Sequence, residues 1–249
     1  MALFTDGNIA SIEDLKEYES AVLQTANIEG IDLTAKLKLA QREIGFEIAS
    51  FIGRHGYTSP GDLSRVVTSE TILNWHCLRT LELVYRDAYN SQLNDRYLGK
   101  WKEYMQTAAH AGAIATELGI GMVSAPVSRA AAPTCNTEAG GVLGPRTYFV
   151  SVAWQASSGS TGDMSEPTVT AIPLSALLTV QPSGQSPGVS GWYVYAGPSE
   201  SELWRQNELP LGQQVVWKEP AAGLRSDIPN LPVQRPDWYV RNRRVLQRG

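Results

Sequence analysis

Cysteine and histidine are scarce in this chain: two cysteines, Cys77 and Cys135, and three histidines, His55, His76 and His110, in 249 residues. So few cysteines imply no disulfide framework; a single Cys77–Cys135 bond stays open, and the expectation is two free thiols in a reducing cytoplasm. Charge is modest as well, at 18% of residues with a formal net charge of −4, which excludes a generally basic nucleic-acid binder. Long apolar runs are missing, so no membrane span is expected. Residues 1–10 lack the basic start and apolar core of a signal peptide, and none is expected. What is present is 43% hydrophobic residues, enough for a core without metal or disulfide staples.

Catalytic constellations are lacking too. His76 and Cys77 are adjacent, and neighbours on a helix point about 100° apart, so they do not form a chelating pair. His55 sits at a glycine-rich helix end, where solvation is the simpler account. Ser157, Ser158 and Ser160 have no histidine nearby and read as turn residues. The glycines at 119–121 and 140–144 lack the Gly-Lys-Ser/Thr ending of a phosphate loop. No catalytic residue, metal or cofactor is expected.

The two halves of the chain differ in period. From Ser11 to about Leu118, apolar residues recur at three- and four-residue steps. Ser11 and Asp14 have the spacing of a capping box, with Asp for the usual Glu or Gln, opening a helix through Ala26. A second helix begins at Asp32 or Thr34 and carries Leu37, Ala40, Ile44, Ile48, Phe51 and Ile52 on one stripe. A third, capped by Thr68 or Ser69, carries Ile72, Trp75, Leu78, Leu81, Val84, Tyr85 and Ala88. A fourth segment from about Leu93 contains Tyr97, Trp101, Tyr104, Met105 and Ala108, as a separate helix or a bent continuation, closed by Gly119 and Gly121.

Beyond an Ala/Pro/Gly-rich linker and edge strand at 119–146, the period becomes two. Strands are expected at 148–154, 167–172, 177–180, 192–196, 202–206 and 213–218, the spacing of a β-sandwich. The fold class is therefore α+β by segregated domains: an N-terminal helical bundle over 1–122, a β-sandwich with its leading linker over 123–228, and an extended basic C-terminal arm over 229–249. Trp154, Trp192, Tyr193, Tyr195, Trp204 and Trp217 are read as sandwich core or subunit interface, ahead of a platform for stacking on sugars.

Two sets of residues are candidates for function. In the arm, Trp238, Tyr239, Arg241, Arg243, Arg244 and Arg248 are types that dominate binding hot spots, and Val240, Val245 and Leu246 are interleaved with them. A solubilising tail has no need of these apolar side chains, so a docking arm is expected. Near the start, Glu13, Asp14 and Glu17 form an acidic helix face, for which a solvated, dipole-stabilised surface is the simpler account.

The helical half, with Leu81-Glu82-Leu83-Val84-Tyr85 and Asp95-Arg96-Tyr97-Leu98-Gly99-Lys100-Trp101, resembles the head-to-tail adaptor, or connector, proteins of tailed bacteriophages. The later half resembles a fibronectin type III or related immunoglobulin-like module, on 148–154, Gly191-Trp192-Tyr193-Val194-Tyr195 and 220–224. Together the two cover most of the chain. Many simple adaptors lack a β-module, so the resemblance assigns it no role.

The resemblance implies a structural, non-enzymatic subunit of the virion neck, assembled in the bacterial cytoplasm. Its partners would be the portal protein, the next connector or nozzle protein of the tail, and further copies of itself in a ring, commonly a dodecamer. Genomic double-stranded DNA would pass through without sequence-specific binding, and no membrane is involved. The acidic helix, if it faced the lumen, would repel phosphates. A glycan- or host-surface-binding protein using the β-module is the alternative, and an enzyme with an unrecognised site is a remoter one.

Overall fold

The structure is a computed structural model that describes residues 2–56, 62–92, 95–172, 175–184 and 188–242. The helices are α1 (Ile12–Tyr18), α2 (Val22–Glu29), α3 (Leu33–Arg54), α4 (Glu70–Gln92) and α5 (Leu98–Leu118). The strands are β1 (Ile120–Met122), β2 (Ala131–Leu143), β3 (Arg146–Ala156), β4 (Thr168–Ile172), β5 (Ala176–Ser183), β6 (Val189–Gly197), β7 (Trp204–Arg205), β8 (Trp217–Lys218) and β9 (Trp238–Val240). The chain divides into two units: a helical one of Gly7–Ser124 with Pro236–Gly249, and a β-rich one of Met1–Asp6 with Ala125–Arg235.

In the helical unit, local chemistry sets the helix starts. Ser11 Oγ accepts from Asp14 N–H at 3.2 Å while Asp14 Oδ2 accepts from Ser11 N–H at 2.6 Å, so aspartate completes the capping box. The first helix is shorter than its periodicity suggests. It stops at Tyr18, and Val22 starts α2, because Glu19 turns away to accept from the Lys100 ammonium and the Tyr104 hydroxyl. Asp32 caps α3 through Ala35 N–H at 3.1 Å, and Ser69 Oγ accepts from Ile72 N–H at the start of α4.

All six residues expected on the α3 stripe are buried. α4 goes further: Ile72, Trp75, Leu81, Val84, Tyr85 and Ala88 are buried, and so are His76, Cys77, Thr80, Glu82 and Leu83. It is the central helix, packed by α1, α2, α3 and α5. Each Leu or Ile enclosed this way contributes about 1.5–3 kcal/mol. Stacking of Tyr85 on Tyr104 and of Tyr89 on Trp101 fixes α5 antiparallel to α4 as a separate helix.

In the β-rich unit, two sheets form a sandwich, with strand orders β2-β5-β8 and β4-β3-β6-β7, all pairs antiparallel. Between them lie Tyr148, Val150, Val152 and Trp154 of β3, Leu178 and Val180 of β5, Trp192, Val194 and Ala196 of β6, and Trp217. These are the residues the two-residue period places on one face. The Ala/Pro/Gly-rich stretch is mostly strand: β2 spans 13 residues at a sheet edge, where Pro133 falls at a register shift and removes no needed donor.

The outer face of β6 is covered as well. Tyr193 and Tyr195 pack with Ala153, Met164, Leu203 and Leu231. The chain at Leu231 is thus part of the sandwich, and residues 229–249 are not one free arm, which corrects the expected boundary at 228. Gln234 holds this cover in place: its N–H donates to Thr161 O at 2.8 Å, and its side-chain amide pairs both ways with the Val127 peptide, at 3.1 and 2.8 Å. Buried and fully bonded, such an amide specifies one register.

Candidate functional site

From Pro236 the chain belongs to the helical unit, and this segment carries the candidate docking residues. β9 pairs antiparallel with β1: Ile120 with Val240, Gly121 with Tyr239, and Met122 with Trp238. On its other side, β1 is bridged by residues 65–67, through Val67 N–H to Gly121 O and Val123 N–H to Arg65 O, both 2.9 Å. The three-residue pairing is secured at its start. Asp237 N–H donates to Met122 O at 2.8 Å, and its carboxylate accepts from Ser124 N–H at 2.6 Å. That backbone hydrogen bond holds the Asp237 carboxyl below the usual range.

Gly119 and Gly121, which read in the sequence as helix terminators, make room for this strand. Gly119 has φ +111°, and a Cβ there would meet Arg241 Cγ at 2.6 Å. A Cβ on Gly121 would meet Pro236 Cγ at 2.7 Å. Side chains of Pro236, Tyr239 and Arg241 fill the space that a Cβ would need at these two sites.

This arrangement sorts the arm residues. Val240 is buried. Trp238 is half-buried, with the Arg65 guanidinium 5.1 Å from its ring centroid. Tyr239 points outward at 50% exposure, and the Arg241 guanidinium lies 5.5 Å from its ring. Trp238 and Val240 therefore anchor the strand within the chain, so Trp238, expected to fill a partner's pocket, makes an intramolecular contact. Tyr239 and Arg241 remain on the surface. Arg243, Arg244 and Arg248, with Val245 and Leu246, lie outside the described residues. Sequence reasoning missed Arg65, because nothing local to it signals a partner 173 positions away.

The acidic residues are brought together only in part. Asp14 is committed to the capping box, and Glu13 forms an ion pair with Lys16 at 2.6 Å. Glu17 is exposed on the same short helix. A neighbouring acid, Glu19, is more firmly placed: burial raises its carboxyl, but hydrogen bonds from Lys100 and Tyr104 prevail and hold it below the ordinary range. An exposed pair such as Glu13–Lys16 contributes little to stability, about 0–1 kcal/mol.

Cys77 and His76 are enclosed in the helical unit, whereas His55 and His110 are exposed. Cys77 is buried, and burial pushes its thiol up to about 12, away from thiolate chemistry. Cys135 is also a free thiol. His76 is fully buried, its Nε2 2.9 Å from Leu37 O, and burial lowers its pKa. It is therefore neutral, with Nε2–H donating to that carbonyl. No group of three or more His, Cys, Asp or Glu side chains suited to a metal occurs among the described residues. No helix among the described residues is long and apolar enough to cross a membrane.

Of the β-unit aromatics weighed as a sugar platform, Trp154, Trp192, Tyr193, Tyr195 and Trp217 are buried, and Trp204 is half-buried. Trp154, Trp192, Tyr193, Tyr195 and Trp217 are taken up by the two apolar clusters, and Trp204 belongs to neither. Among the concavities of the helical unit is a groove of about 600 Å³ lined by α3, α4 and α5. Compared with protein families, curated proteins and solved structures, the chain matches none.

Proposed function

We propose that this chain is the repeating subunit of a head-to-tail adaptor ring in a tailed bacteriophage, seated beneath the portal in the neck of the virion. The ring extends the DNA channel and offers a platform to the next tail component. The observation that carries the reading is the exposed Tyr239–Arg241 pair. It sits on a strand tied to the helical bundle, and the sequence continues from it into Arg243, Arg244 and Arg248. An aromatic and several arginines at the end of an anchored strand suit a portal-facing contact, where guanidinium groups pair with carboxylates.

Three further features support this reading. The helical half carries the adaptor-like segments, and α4 and α5 there pack along their length. Cys77 and His76 of the helical unit are enclosed in its packing. The face carrying Glu13 and Glu17, turned to the lumen, would keep DNA phosphates from sticking. In this account DNA is a passenger, the partners are the portal, the next tail component and further copies of the chain, and assembly takes place in the host cytoplasm. The alternative of glycan binding through an aromatic sheet face loses support from the burial of Trp192, Tyr193 and Tyr195.

Negative-stain images of the purified protein mixed with a candidate portal test the proposal, using the intact chain and one ending at Asn242. The intact chain is expected to form a ring on the portal and the shortened one to fail while remaining folded. If the shortened chain joins DNA-free portals normally, the basic segment has no docking role, and contact between its arginines and channel DNA becomes the better account.

A further inference from the structure

The groove on the helical unit has an unusual lining for a surface. Phe46 and Met105 are 68% and 44% exposed there, and they stand over a floor that includes Phe51 and Trp75. Phe46 does not belong to the buried stripe of α3, and isolated apolar groups of this size gathered in one concavity mark a binding site. The walls run side by side. Arg79 of α4 bridges to Glu43 and Lys36 pairs with Asp87, so α3 is antiparallel to α4, as α5 is, and α3 and α5 run parallel. Thr116 marks one end of the groove, and Met105 lies about three helical turns away, roughly 16 Å.

The chain itself arrives at the Thr116 end. Asn242 N–H donates to Thr116 O at 3.3 Å, satisfying one of the carbonyls left open in the last turn of α5. Seven residues follow, Arg243-Arg244-Val245-Leu246-Gln247-Arg248-Gly249, which lie outside the described residues. Extended, they reach about 23 Å, enough to run the length of the groove. We propose that this groove is the seat of the chain's own segment Arg243–Gly249.

Chemistry agrees with reach. Val245 and Leu246 fall a few residues beyond Asn242, where Phe51, Trp75 and then Phe46 line the wall. Toward the far end the charge is acidic: Glu47 stands near Glu43 and Glu82, and Arg79 is already bridged to those two at 2.7 and 2.6 Å. Burial raises the Glu47 carboxyl, opposed by the charge of Arg79 and aided by those of Glu43 and Glu82. Arg248 is placed by sequence to meet this end. The seat does not depend on the adaptor reading. Under that reading, it holds the docking arm in the free subunit, and the portal must compete for the arm.

Disulfide trapping in the full chain tests this. A chain carrying Leu246→Cys, Ala109→Cys and Cys135→Ser is oxidised at low concentration and compared with one carrying His110→Cys in place of the groove position. Ala109 lines the groove, whereas His110, at the same distance along α5, is exposed and does not line it. The groove pair is expected to link within one chain at least about tenfold more than the control. Linked dimers would assign the groove to a second copy, and equal yields would leave it without this occupant; either result overturns the proposal. Methyl resonances of Met105 decide the matter without cysteines. They are expected to shift when the chain is ended at Asn242, and an unchanged spectrum contradicts the seat.

Discussion

The guanidinium of Arg65 lies 5.1 Å from the ring centroid of Trp238, joining the segment that bridges β1 on one side to the strand β9 that pairs with it on the other. The contact is intramolecular, so Trp238 must be tested as a stability residue before it is tested as a docking residue. Trp238→Ala is expected to destabilise the helical unit by about 1–3 kcal/mol, from lost packing and the lost cation–π contact. Tyr239→Ala, at an outward-facing position, is expected to stay within about 0.5 kcal/mol of the parent. Urea midpoints of the two variants check this. Equal losses would mean that the strand does not hold as described. Ending the chain after Leu231 would remove β9 as well as the basic segment, so Asn242 is the informative point for truncation.

Gly119 gives a second test of the same strand. Its φ is +111°, and Arg241 Cγ lies only 2.6 Å from where a Cβ would stand, so there is no room for a side chain. Gly119→Ala is expected to cost about 1–3 kcal/mol and to increase proteolysis between Arg235 and Arg241. Protection equal to the parent, by limited chymotrypsin digestion, which cuts after Trp238 and Tyr239, would count against the pairing of β1 with β9.

His76 gives the fold a dependence on pH. Burial lowers its pKa from the ordinary 6.5, so the unfolded chain takes up a proton more readily than the folded one. Its contribution to stability is complete above about pH 6.5 and is lost as pH falls from there toward the lowered folded value. The nearest opposing influences are the Leu37 carbonyl and the Asp14 carboxylate, which favour the protonated ring. His76→Gln retains a donor for Leu37 O and does not titrate. Urea midpoints at pH 7.5 and 5.5 should therefore differ less in the variant than in the parent, and an equal pH response in both would contradict the assignment.

Much of the fold is legible in the sequence because burial imposes a period. The α3 stripe and the inner faces of β3 and β6 follow from spacing alone, since each contact there lies on a regular face. The break between α1 and α2 is not legible, because it depends on Glu19 reaching Lys100 and Tyr104, 81 and 85 positions away. The arm's sequence shows correctly that it is extended and proline-led, but not that most of it is tied down. Leu231, Gln234, Trp238 and Val240 find their partners on distant segments, and no local pattern announces an intramolecular partner. The groove leaves one readable sign: Phe46, an aromatic off the apolar stripe of its helix.

The central claim is that the chain works as a ring on a portal. Native mass measurement of the purified protein combined with a portal complex tests this most directly. The account predicts a discrete assembly holding many copies of the chain, about twelve if the ring follows the adaptor resemblance, closed by one repeated interface. One or two copies per portal complex, or no association at all, would contradict it.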